Sequence, residues 1–145
     1  VCGVADQHLY VLEDLSSSGP PEVWANVVAE GADSWGCMIV AEANQGGQMV
    51  KSVLESAGVT TPVKLVRAVE GKRARAEPVS MLWAAGRGHI VGSLPMLEDQ
   101  LTSFVPGESE SPDRLDAMVW AAADLGVTRK KATYRSPTSW ASRVA

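Results

Sequence analysis

Residues 37–41, Cys-Met-Ile-Val-Ala, form an unbroken apolar run that stops at Glu42. A run of this kind predicts a strand buried on both faces, as in the middle of an α/β sheet. An acid directly after it falls at the strand's carboxyl end, where open α/β sheets place their ligand sites. The next residues, Asn44-Gln45-Gly46-Gly47, open a helix over about 49–57. The glycines there let a ligand or a second backbone approach closely. Asn44 and Gln45 are candidates to orient a water or reach a phosphate, and Asn44 equally suits a helix cap.

Around this centre the pattern alternates. Residues 1–5 and 9–13 read as two short strands joined by a hairpin turn at Asp6, Gln7 and His8. After the breaker Ser-Ser-Ser-Gly-Pro-Pro, Pro21 suits a first helical position, and Val23, Trp24, Val27 and Val28 give an amphipathic helix ending near Gly31. Further strands are predicted at 63–69 and 89–91, and further helices at about 72–85, 96–104 and 112–125, with a polar loop at 106–112. This order predicts an α/β fold, a mixed sheet with helices packed on its faces.

Composition narrows the class. A chain of 145 residues, 46% hydrophobic and 21% charged, suits one domain with a real core. No apolar run approaches the ~18 to 20 residues of a membrane span. The opening residues show no secretory signal pattern. Membrane, collagen-like, coiled-coil and secreted disulfide scaffolds are excluded. Cys2 and Cys37 are too few for a metal cage or a disulfide framework, and a reducing, cytoplasmic setting fits them. Residues 1–126 hold 8 basic and 17 acidic side chains, whereas 127–145 hold five basic ones and no acid. The body is therefore acidic, compatible with holding divalent cations, and the Ser/Thr-rich end reads as a flexible basic tail.

Two further stretches carry chemistry. Asp113 and Asp116 lie three apart on the last predicted helix and share a face. Asp113 also suits the positive end of the helix dipole. Asp116 sits beside Leu115 and Ala117 on a largely apolar helix and needs another reason to be there. Hard carboxylates converging on one point make an Mg²⁺ or Mn²⁺ site, and a pair of such ions clamps the attacking and leaving oxygens in phosphodiester hydrolysis. The second stretch is Gly71-Lys72-Arg73-Ala74-Arg75, within a segment from Lys64 to Arg87 that holds six basic residues. It reads as a solvated helix face or as a phosphate track beside an acidic centre. His8 and His89 lack zinc-ligand spacing. No GxxxxGK[ST] phosphate loop is present. Trp24, Trp83 and Trp120 fall on helix faces as core candidates.

The segments HLYVLEDLS, VAEANQGGQMV, GKRARAEPVSMLWAAGRGHIVGSLPMLEDQL and SPDRLDAMVWAAADL resemble, in order and spacing, the nuclease domain of tailed-phage (or prophage) terminase large subunits. The resemblance covers roughly residues 1–126 and implies an RNase H-like fold, ribonuclease H/integrase-type, with 127–145 as a tail. It also implies a two-metal endonuclease that cuts concatemeric double-stranded DNA. By this resemblance Glu42 is the acid after the central strand, and Asp116 or Asp113 the late helical acid. All three are then catalytic residues and ligands of Mg²⁺ or Mn²⁺. Lys72, Arg73 and Arg75 correspond to the family's stretch near DNA, and Asn44 and Gln45 join them as DNA-binding candidates from their place after Glu42. The implied partners are the terminase ATPase domain, the small terminase subunit and the portal, in the cytoplasm of an infected or lysogenic bacterial host.

The family's domain has a further strand before these, ending in an acid that bridges both metals. The resemblance begins at what corresponds to its second strand, which implies a fragment with its first strand and the ATPase half missing. Two other readings stand beside the nuclease. One is an inert terminase fragment acting as a docking or DNA-contacting module. The other is a junction resolvase of the same fold.

Overall fold

The computed structural model describes residues 1–43, 47–105 and 112–128. Among them, strands and helices follow one another in the order the periodicity predicts. The opening hairpin forms as β1 (Cys2–Ala5) and β2 (His8–Val11), paired antiparallel with Ala5 opposite His8. The turn is two residues long, because His8 belongs to the strand. Asp6 and Gln7 both take positive φ, 49° and 69°. That backbone twists in the sense of the flanking strands, as tight hairpins require.

Helix α1 (Pro21–Trp35) starts where Pro21 predicts but runs past Gly31. Gly31 is buried inside the helix, where an added Cβ would run into the Leu15 side chain. The stop signal belongs instead to Gly36, whose φ of 58° gives the left-handed cap.

Strand β3 (Ile39–Glu42) pairs in parallel with β4 (Val63–Val66), from Ile39 opposite Val63 to Glu42 opposite Val66. The expectation of a strand buried on both faces is corrected here: β3 is half-buried throughout, and Met38 before it is 46% exposed. The reason is topological. Among the described residues β3 pairs only with β4, so it sits at an edge. Helix α2 (Gly47–Ser56) follows and packs on α1 and β3.

The other strands make a mixed three-stranded sheet, β1-β2-β5, with β5 (Gly88–Ile90) parallel to β2. Leu9 and Val11 alternate onto one face of it, which α3 (Lys72–Ala84), α4 (Pro95–Ser103) and α5 (Asp113–Asp124) cover. Helix α5 buries Leu115, Met118, Val119 and Ala122, the stripe expected of it. Full burial of side chains the size of Leu115, Met118 and Val119 contributes about 1.5–3 kcal/mol each, and that of Ala122 less. Val127, just past α5, joins this core at 4% exposure. On the other face His8 and His89 meet across β2 and β5, Nδ1 to Nε2 at 2.7 Å, a contact their spacing gave no sign of. Helix α5 touches both β1 and β3 and so joins the two sheets.

Candidate active site

Glu42 is the last residue of β3, and the Ala43 N–H donates to the Val66 carbonyl at 2.8 Å just beyond it. The pairing therefore holds the backbone on both sides of the acid. Ala43 is buried, and a Cβ at Gly47 would run into the Ala43 methyl. Gly47 is needed so that α2 can begin this close to the strand's end. Asn44 and Gln45 lie outside the described residues.

The other expected acids are on α5. Asp113, at its first position, is exposed, while Asp116 is enclosed, with 13% of its side chain accessible. Arg75 Nη2 donates to Asp116 Oδ1 at 3.2 Å, and Lys72 Nζ lies 3.8 Å from Oδ2. The same guanidinium donates through Nη1 to the Glu70 carbonyl at 2.6 Å and lies 4.5 Å from the centroid of the Trp120 ring. One turn further, Lys64 of β4 pairs with Asp124. Asp116, Trp120 and Asp124 are spaced four apart and form one charged seam of α5, turned towards α3 and β4.

This arrangement divides the three expected DNA contacts. Arg75 is turned inwards, 9% exposed and held by three neighbours, so no solvent-facing phosphate track forms at that position. Lys72 is half-exposed and Arg73 exposed. Arg73 helps line a groove of about 670 Å³ between α3, α4 and α5, together with Trp83, Leu101, Phe104 and Met118; neither Glu42 nor Asp116 lines it. Trp120 is not a plain core residue, since it forms the platform under Arg75. Arg75 Nε and Trp120 Nε1 are buried without hydrogen-bond partners among the described residues. Each such orphan costs about 1–3 kcal/mol, so the packing around them holds the pair together against that cost. Four-residue spacing on α5 was the available signal for Trp120 and Asp124. Their partners, 45 and 60 positions away, left none.

Elsewhere, Arg114 Nε donates to Asp14 Oδ2 at 2.8 Å, tying the segment after β2 to the first turn of α5. Burial pushes the Asp14 carboxyl up, but the hydrogen bonds from Ser16 and the Arg114 charge outweigh it and hold it below its ordinary value. Cys2 packs against the core, and burial pushes its thiol up, away from reactivity. Among the described residues no group of three or more metal-ligating side chains converges, and no helix is long and apolar enough to cross a membrane. In kind, the donors suit a hard cation: Glu42 and Asp116 are carboxylates on touching elements.

A mixed three-stranded sheet and a parallel strand pair, flanked by five helices, give an α/β build that agrees with an RNase H-like domain. The comparison with protein families is more specific. The family model described as "Terminase RNaseH-like domain" matches residues 1–125, and the chain belongs to that family. Membership points to a terminase nuclease module and to hydrolase activity in general, and RNase H-like nuclease domains generally use divalent metals. No curated protein matches the chain.

Proposed function

We propose that this chain is the metal-dependent endodeoxyribonuclease domain of a phage DNA-packaging terminase, cutting concatemeric double-stranded DNA. The observation that carries the reading is the packing of α5, which bears Asp116, against β3, which ends in Glu42, in a chain of the terminase RNaseH-like family. Glu42 and Asp116, with Asp113 at the exposed start of α5, would hold two Mg²⁺ or Mn²⁺ ions. Bound there, the ions would supply activation of a water and stabilisation of the departing 3′ oxygen.

The protein's own part is placement. The β3–β4 pairing holds Glu42, and the seam of α5 holds Asp116. Lys72 and Arg73, on the first turn of α3, would take the phosphodiester backbone, with Asn44 and Gln45 beside Glu42 as further contacts. Contacts of this type position DNA and read no sequence, so cutting would show little sequence preference. The terminase ATPase domain, small subunit and portal would be its partners, in the bacterial cytoplasm.

One observation favours the second reading, an inert docking or DNA-contacting module: among the described residues no three ligating side chains gather into one cluster, so Glu42, Asp113 and Asp116 do not form one. Nicking of supercoiled plasmid by this chain in Mn²⁺, beside Glu42→Ala, separates the two. Metal-dependent nicking abolished by the substitution is the expected result. Nicking that survives it removes Glu42 from the site, and a folded chain that cuts nothing supports the inert module.

A further inference from the structure

Arg75 and Lys72 touch the same carboxylate in unlike ways. Arg75 is inside, with its side chain 9% exposed and its fork fixed by the Glu70 carbonyl, the Trp120 ring and Asp116 Oδ1. A planar guanidinium held from three sides fixes the oxygen it binds. Its Nε stays buried without a partner among the described residues, so hydrogen-bond satisfaction alone does not explain its position. Lys72 is a flexible point charge, 53% exposed, 3.8 Å from Asp116 Oδ2. An ion pair that long and that exposed is weak and readily exchanged.

The two oxygens of Asp116 are therefore unequal. We infer that Arg75, seated on Trp120, is a positioning residue that fixes Asp116 Oδ1 and directs Oδ2 to a divalent cation, and that Lys72 is the exchangeable counter-ion which yields Oδ2 when the cation arrives. The inference rests on Asp116 being a metal ligand. It moves Arg75 from the DNA contacts to the support of the site. It also couples the two functions of α3, because Lys72, once freed from Asp116, would be available to a phosphate.

The test is Mn²⁺ binding by this chain without DNA, followed by electron paramagnetic resonance of the free ion. Partners that orient a ligating side chain are worth about tenfold or more in metal affinity, so Arg75→Lys lowers Mn²⁺ affinity by that factor, and Trp120→Leu lowers it in the same direction. Lys72→Met removes a competitor and raises affinity about two- to fivefold. Opposite signs from two cations on one carboxylate are not the mark of a merely structural pair. DNA affinity in EDTA adds a second readout, unchanged by Arg75→Lys and weakened by Lys72→Met. Should Arg75→Lys melt before the wild type, the half-exposed Lys72 decides the sign.

A fall in Mn²⁺ affinity with Lys72→Met overturns the inference, as does wild-type affinity in both Arg75→Lys and Trp120→Leu. Both leave the nuclease reading standing if Asp116→Asn abolishes binding. If Asp116→Asn and Glu42→Gln keep wild-type affinity, or the wild type takes no Mn²⁺, the metal reading falls and this one with it.

Discussion

The part of the molecule around β2 and the part around β3 are held by different forces. β2 shares a continuous apolar core with α3, α4 and α5, in which Leu9, Val11, Val79, Leu82, Leu97 and Val119 are each 3% exposed or less. Among the described residues, the buried side chains around β3 are small, Ala25, Ala32 and Ala43, with Leu54 the one large member. The link from α5 to this side includes charge, Lys64 with Asp124, and a second charged contact, Arg75 and Lys72 with Asp116, lies between α5 and α3. The difference separates two tasks. A carboxylate meant to meet a cation must stay ionised, which a dry apolar core opposes and a polar seam permits. The apolar half serves as the platform, and the seam keeps the charges apart from it.

Breaking the platform carries the largest expected effect. Leu9→Ala, at a fully buried position, lowers stability by about 2–5 kcal/mol, read by chemical denaturation. A loss below about 1 kcal/mol would show that the β2 side is no better packed than the β3 side. The seam comes next. Lys64→Met removes a half-exposed ion pair and costs about 0.2–1 kcal/mol, less at high salt. A larger cost that salt does not diminish would mean that the β3 side depends on this pair as the β2 side depends on its core.

The smallest effect sharpens the contrast by pH. Asp14 is held below its ordinary value, so its contribution is full above the unfolded carboxyl value of 3.8 and fades as pH falls through the lower folded one. Thermal melts of Asp14→Asn and wild type should differ at pH 6 and converge as the pH is taken well below 3.8. A difference that persists in acid would mean that Asp14 acts by packing and not by charge.

The alternation of elements was legible in the chain because period-2 and period-3.6 patterns are local. Pro21, the 37–41 run and the stripe of α5 each announced themselves. Gly31 misled for a physical reason: a glycine kept for close approach looks the same in sequence as one kept for a left-handed cap. Half-burial of β3 was hidden because an apolar run records hydrophobicity and not which neighbours cover it. At the candidate site, the positions of Glu42 at a strand end and Asp116 on a helix could be read from spacing. The enclosure of Arg75 could not, since Asp116, 41 positions away, and Trp120 lie on α5, and only the fold brings that helix to α3. His8 and His89, 81 positions apart, were invisible for the same reason.

The hairpin turn has a consequence for anyone engineering the chain. Asp6 and Gln7 both occupy left-handed backbone with a side chain attached. Asparagine and glycine adopt that geometry with less strain, and an Asn-Gly pair is the sequence such turns favour most. The joint between β1 and β2 is thus an unoptimised element, a place to gain robustness at two surface residues while leaving both the core and the charged seam untouched.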